Sequence, residues 1–394
     1  MLILACNVGS TSLKYRLYNL GEVEKELASG QFSGVARASG ASRQQAGDIL
    51  EESSLPAPDY AAAIESMLAF LGKTGALPPG SLPGCVAFKT VAALGYTGVQ
   101  LLSEDVLDAM AQLNGLLPAH NPPYISAIRQ FARRMPGVPL VGSFETGFFS
   151  DMAPKAYLYP LPLRLVDQGI RRRGAHGASH EYVAQWVAQR ERRDDLKLIS
   201  CHLGGSSSLA AVKNCRGVDT TIGLSMQTGL PHNNRTGDID PCLTHYLHLS
   251  LGMSLDDIQR MYAQESGLLG LSGGLSGDMQ ALEAMAQDGN AQAATAVDAF
   301  CYQVKKQIGA FAAALEGVDV IAFAGGIGQH SAGVREKALA GLGFMGVALD
   351  SEKNAASLPD SLISRQGAPV RVYIVATNEE IIIARKAKAF LDTK

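Results

Sequence analysis

The sequence predicts an α/β protein built from two related halves. An apolar strand entering a Gly/Ser/Thr cluster occurs twice, as ILACNVGSTSLKY at residues 3–15 and as LISCHLGGSSSLA at residues 198–210. The copies stand a constant 195 residues apart, so that Cys6 falls on Cys201, Asn7 on His202, Gly9 on Gly204 and Ser12 on Ser207, in a chain of 394. That offset is close to half the chain, and each half is long enough for a domain with its own core. Strand-like runs also alternate with segments of helical periodicity through both halves.

Composition narrows the class. Hydrophobic residues are 47% and charged residues 18%, which fits a folded globular chain and not a disordered one. With 34 basic and 37 acidic side chains, the net charge of −3 leaves no electrostatic footprint for nucleic acid or a membrane surface. Cys6, Cys85, Cys201, Cys215, Cys242 and Cys301 are scattered without a CxxC pair, as expected of free thiols in a reducing compartment. The N-terminal LILAC is too short for a signal-peptide core, and no run approaches ~18 apolar residues. A soluble cytoplasmic protein is expected.

Each element follows from local pattern. Residues 1–19 read as strand, turn, strand; a hairpin tip of this kind shows backbone N–H groups and hydroxyls that wrap phosphate oxygens. Residues 20–58 are polar and rich in Gly, Ala and Ser and carry no element signal, and 61–71 has helical period. Residues 82–94 read as a buried strand with Lys89 in its middle, a cation that in apolar surroundings needs a partner or a ligand. Residues 104–113 are an amphipathic helix, and 116–124 a stiff turn in which Pro122 and Pro123 keep the backbone extended beside His120. A short strand, 140–144, ends at Glu145. The proline-punctuated APKAYLYPLPLRL after Phe149 marks the passage between domains.

In the second half, a basic Gly-rich loop carries His176 and leads into a helix with Ser179 as its N-cap. His176 and His180 stand at i, i+4, but HExxH is absent and no acidic or cysteine ligand is suitably placed nearby, which argues against zinc. Loop 218–240 holds Arg235 between Asn234 and Thr236. Residues 265–281 are Gly/Ser-rich, 290–315 a long helix, and 320–339 strand, GGIG turn and helix, a turn that lets phosphate or ribose approach closely. The chain closes with a strand to about Ala376 and a helix opened by Glu379 and Glu380, where carboxylates suit the dipole.

There is no P-loop, no G-x-S-x-G elbow, and GGIGQHS fails the dinucleotide spacing. The stretches NVGSTSLKY, AHNPPY, SFETGFF, GAHGASHEYV, CHLGGSSSLAAVKN, VDTTIG, NRTGDIDP, ESGLLGLSGG, AGGIGQHSAGVREKAL and TNEEIIIAR, in this order over nearly the whole chain, resemble the acetate kinase family of acetate and propionate kinases. The resemblance implies a duplicated actin-like ATPase (ribonuclease H-like) fold of two α/β domains. They are expected as 1–149, completed by the terminal helix 378–394, and 150–377, with ATP and Mg²⁺ in the cleft between them. It also implies a homodimer.

Position by position, the resemblance assigns Asn7 and Glu379 to the metal and Ser10, Ser12 and Lys14 to the first phosphate hairpin. It assigns His202, Leu203, Gly204, Gly205, Ser206, Asp278, Gly325, Gly326, Ile327, Gly328 and Gln329 to the nucleotide. His176 and Arg235 are expected to stabilise the phosphoryl group in flight, with His120 in the same cleft. Lys89 stands where the family's arginine holds the substrate carboxylate, and Glu145 where the family has an aspartate. Gly205 replaces an asparagine, Gln329 a glutamate and Gln280 an arginine. The acyl pocket would be lined by Val91, Ala119, Ala175 and Met226, roomier than usual near the two alanines and so suited to propionate or a somewhat larger acid.

Direct in-line transfer from ATP to a short-chain carboxylate, giving ADP and an acyl phosphate, is the activity implied. A carboxylate is already ionised at neutral pH and needs no general base, so the task is to stabilise charge on the equatorial oxygens. Two alternatives remain open at this stage: a same-fold kinase for a larger acid or a hydroxyl substrate, with Glu145 as base, and a nucleotide-binding protein with weak turnover.

Overall fold

The first apolar run becomes strand β1 (Leu2–Gly9), and after a two-residue tip the chain returns antiparallel as β2 (Ser12–Leu20). The structure, a computed structural model, describes residues 1–394 apart from Ala57, Pro79 and Ala119. It divides into two units, Met1–Gly147 with Asn378–Lys394, and Phe148–Thr377. The segment read as an inter-domain passage lies inside the second unit, where Ala156 and Tyr157 pack on the core that contains Phe148, Phe149 and Met152.

In the first unit, β3 (Glu24–Ser33), β4 (Ser39–Ala46) and β5 (Ile49–Pro56) follow β2 as an antiparallel meander. These three strands occupy the stretch that gave no element signal. Strands β6 (Cys85–Thr90) and β8 (Leu140–Phe144) run parallel to β1, and β7 (Val99–Leu101) pairs antiparallel with β8. The sheet order is β5-β4-β3-β2-β1-β6-β8-β7. β6 stops at Thr90, short of the expected Leu94. The helix Asn121–Arg134 starts on its proline pair, so Pro122 and Pro123 open a helix where their missing N–H groups cost nothing.

The second unit repeats the plan with β9 (Lys197–His202), β10 (Ser208–Lys213), β11 (Arg216–Thr220), β12 (Val320–Ala324), β13 (Ser361–Leu362) and β14 (Arg371–Ile374), in the order β11-β10-β9-β12-β14-β13. Position for position this is β3-β2-β1-β6-β8-β7, with the same parallel and antiparallel pairings. The halves are therefore duplicates, as in the actin-like ATPase fold expected from the sequence. The constant offset holds only on the outgoing strand: Cys6 pairs with Tyr15, but Cys201 pairs with Leu209, one residue sooner on the return.

Period-two alternation sorts the second sheet's faces. Ile199, Cys201, Leu209, Ile321 and Phe323 join the core that includes Phe300, Val304 and Ile308 of helix Ala291–Ala314. Leu198, Ala210, Ala322 and Tyr373 join Val183, Ala184 and Val187 of helix Gly177–Glu191. Ser200, His202 and Ser208 have the parity of this second face, toward its end, where the apolar lining gives way to polar side chains.

Candidate active site

Strands β1, β6 and β8 deliver Asn7, Lys89 and Glu145 to or just past their carboxyl ends, the edge at which α/β sheets present ligand-binding groups. Helix Glu379–Asp392 packs on the same sheet and brings Glu379 in as its first residue, behind the Asn378 cap. Lys89 Nζ rests against Glu379 Oε2, and Glu145 Oε2 lies 3.6 Å away. Burial alone would push the Lys89 ammonium down, but the two carboxylates outweigh it and hold its pKa above the ordinary lysine value. The Tyr124 hydroxyl donates to Asn7 Oδ1 at 3.1 Å, and its own pKa is raised, first by burial.

Ser10 is exposed at the first tip, Ser12 is half-buried, and the exposed Lys14 stands directly opposite Asn7 in the β1–β2 register, on the same face. His120 heads the helix Asn121–Arg134, and Val91 is buried just beyond β6. Ala119 lies outside the described residues.

In the second unit, a cavity of about 610 Å³ opens beside the second hairpin, lined by Gly204, Gly205, Asp278, Gly326 and Ile327 among the expected residues. Asn233, Gln280, Glu283, His330 and Ser331 complete much of its wall. Gly325 holds φ +76°, and a Cβ there would lie 2.5 Å from the Leu203 carbonyl oxygen, so only glycine lets the turn approach the hairpin. That carbonyl accepts the N–H groups of Ile327 and Gly328, at 2.9 and 3.1 Å. Of the other expected nucleotide residues, the Leu203 side chain is in the core, Gly328 is buried, and the Gln329 carbonyl accepts from Arg335. Asp278 lines the cavity while capping helix Met279–Gln287 through Ala281 N–H. The Ser206 hydroxyl is buried without a hydrogen-bond partner among the described residues, an unmet polar group in the hairpin tip.

Arg235 is held by its loop, with Nη1 donating to the Met226 carbonyl at 2.9 Å; burial pushes its pKa down to about 10, which leaves it charged at neutral pH. His176 precedes helix Gly177–Glu191 in the left-handed region (φ +54°), so the expected Ser179 cap is displaced into the helix. Ser179 Oγ meets His202 Nδ1 at 2.7 Å, and His202 stacks on His176 with ring centroids 4.4 Å apart; His202 is not among the residues that line the cavity. Ala175 and Met226 are buried in this unit.

The Acetokinase family matches residues 2–385. The chain belongs to that family. An acetate kinase of Clostridium botulinum (strain 657 / Type Ba4) is 37% identical over 397 residues, covering 98% of this chain and 99% of its own. One from Natranaerobius thermophilus is 37% identical over 404 residues, covering 99% and 100%. Among solved structures, Porphyromonas gingivalis acetate kinase is 30% identical with TM-score 0.88, covering 99% of both chains. A propionate kinase from Francisella tularensis is 29% identical with TM-score 0.90, covering 98% of both.

Within this acetokinase, sequence reasoning passed over Tyr124, His232 and the Asn233, Glu283, His330 and Ser331 wall. His232 is buried between the hairpin and the Arg235 loop: Nδ1 accepts the Ser207 N–H at 3.0 Å, and its backbone N–H donates to the Arg235 carbonyl at 3.0 Å. Its position three residues before Arg235 was the available signal.

Proposed function

We propose that the chain transfers the γ-phosphoryl group of ATP in line to a short-chain carboxylate of acetate or propionate size, releasing ADP and an acyl phosphate. Membership of the acetokinase family makes it a phosphotransferase with a carboxylate acceptor. The observation that carries the nucleotide half is the cavity of about 610 Å³ walled by the second hairpin and the GGIG turn.

Arg235 and His176 are the donors to the equatorial oxygens, where charge spreads in the transition state. Lys89 supplies the positive charge that aligns the acid, and Glu145 holds the ammonium in place. The oxygens of Asn7, Glu379 and Glu145 are the hard donors Mg²⁺ prefers. No cluster of three or more His, Cys, Asp or Glu side chains suited to a metal occurs among the described residues. An ion here would be held by Asn7 and Glu379, with phosphate oxygens and water completing its shell, the usual habit of Mg²⁺. When bound, it neutralises charge on the β- and γ-phosphates.

No helix among the described residues is long and apolar enough to cross a membrane; the scattered free cysteines support a cytoplasmic enzyme. A homodimer is part of the same reading: Leu243, Tyr246 and Leu249 on helix Cys242–Leu249, with Leu251 and Leu255, leave apolar surface exposed for a second copy to cover.

The test is turnover with ATP and Mg²⁺ on formate, acetate, propionate and butyrate, with acyl phosphate trapped as hydroxamate, against glycerol and hexoses. Hydroxamate from acetate or propionate is the expected result. ADP release with a hydroxyl acceptor and none with acids would overturn the reading.

A further inference from the structure

His176 ends a hydrogen-bond chain that runs into the core of the second unit. Its Nδ1 lies 2.7 Å from Ser208 Oγ, the same oxygen lies 2.8 Å from His180 Nε2, and His180 Nδ1 lies 2.8 Å from Ser200 Oγ. Ser200, Ser208 and His180 are all 0% exposed, so each hydrogen in the chain must find its acceptor within the protein.

Counting hydrogens gives the chain a direction. Burial, with the neighbouring His202 adding to it, holds the His180 pKa well below the ordinary value, so this ring is neutral and carries one hydrogen. Ser208 has one hydrogen for two imidazole nitrogens; one nitrogen donates to it and the other accepts from it. In one direction Ser200 donates to His180 Nδ1, His180 Nε2–H donates to Ser208, and Ser208 donates to His176 Nδ1. Every hydrogen is then used. In the other direction His180 Nδ1–H donates to Ser200, whose own hydrogen has no acceptor among the described residues. A buried hydroxyl hydrogen left unmet is unfavourable, and the first direction prevails.

We propose that the Ser200–His180–Ser208 chain holds His176 as the neutral tautomer with its hydrogen on Nε2, an uncharged hydrogen-bond donor and not an imidazolium, and that these three are positioning residues for it. The consequence for phosphoryl transfer rests on the reading of His176 given above; the placement of the hydrogen does not. Arg235 then supplies the charge, and His176 supplies direction.

The experiment is nitrogen-15 NMR of histidine-labelled enzyme at neutral pH without nucleotide, with the His176 ring assigned by its loss in His176→Gln. The expected spectrum has Nε2 protonated and Nδ1 bare. A hydrogen on Nδ1, or on both nitrogens, overturns the proposal. Ser200→Ala removes the hydroxyl that sets the direction; the His176 ring should become a mixture of tautomers and kcat should fall about fivefold with KM for ATP unchanged, roughly one neutral hydrogen bond. Ser200→Thr keeps the hydroxyl and should restore both readings. An Nε2–H ring that persists unmixed in Ser200→Ala also overturns it. If the tautomers behave as expected while His176→Gln keeps native kcat, the chain stands and the catalytic reading of His176 falls.

Discussion

The Lys89 ammonium lies against the carboxylate of Glu379 at the head of the terminal helix, with Glu145 3.6 Å away, so one cation serves two acids from distant parts of the first unit. All three side chains are at most 15% exposed. Lys89→Met removes the cation that both carboxylates share, and we expect unfolding free energy to fall by about 2–4 kcal/mol in urea titrations. The raised Lys89 pKa means this contribution is fully present below the unfolded lysine value near ~10.4 and is lost only as pH rises through the higher native one. The penalty should therefore be flat from acid-neutral to mildly alkaline pH. Mg²⁺ should stabilise Lys89→Met more than the parent, because a metal ion takes over the missing charge. An equal effect of Mg²⁺ on both proteins would remove Glu379 from the metal site.

Arg235→Ala should lower kcat roughly 10²–10³-fold while KM for ATP changes little, since the guanidinium is proposed to act on charge that exists only in the transition state. Arg235→Lys should recover part of this, keeping the charge but losing the planar fork. Steady-state kinetics with acetate or propionate make the test; native kcat with a raised KM for ATP would reassign Arg235 to ground-state binding.

Gly325 and Gly326 separate packing from ligand contact. A Cβ on Gly325 meets the Leu203 carbonyl at 2.5 Å in a positive-φ backbone, whereas nothing lies within 4 Å of one on Gly326, which faces the cavity. Gly325→Ala should lose about 1–3 kcal/mol of stability, and Gly326→Ala should keep its stability but bind ATP more weakly. Thermal unfolding with and without ATP distinguishes them, and equal destabilisation by the two would refute the assignment.

The duplication was legible because the two hairpins carry a similar run of aliphatic residues around Cys6 and Cys201 and a glycine at the same tip position. The one-residue slip on the return strand was not, since both registers bury alternate residues equally well by sequence. Strands β4 and β5 escaped notice because they lie at the sheet edge with polar side chains, and their buried Gln44 finds its partner in Tyr15, 29 residues away. Lys89 stood out as a cation in an apolar strand, yet its partner Glu379 is 290 residues distant and no local pattern links them. His180 was weighed only as a metal ligand. Its real partners are serines on strands β9 and β10, a pairing that depends on which strand face meets the helix.

His232 predicts how the second unit responds to acid. Burial first, and the nearby Arg235 charge second, push its pKa down to about 3, so the native ring stays neutral where an unfolded histidine, near ~6.5, takes up a proton. Between these values the unfolded chain binds more protons than the native one, and unfolding free energy must fall as pH is lowered, by up to ~1.4 kcal/mol per pH unit for this one group. His180, whose pKa is also depressed, adds to the same slope. The stability at stake is present above the unfolded value and is lost on the way down to the native one. Because His232 ties the Ser207 N–H to the loop of Arg235, the hairpin tip and that loop should loosen together. Urea titrations at a series of pH values should give His232→Gln a lower stability at neutral pH and a slope shallower by about one proton than the parent. An unchanged slope would mean that the native ring is already protonated, and that its hydrogen bond to Ser207 is not the one that holds the hairpin.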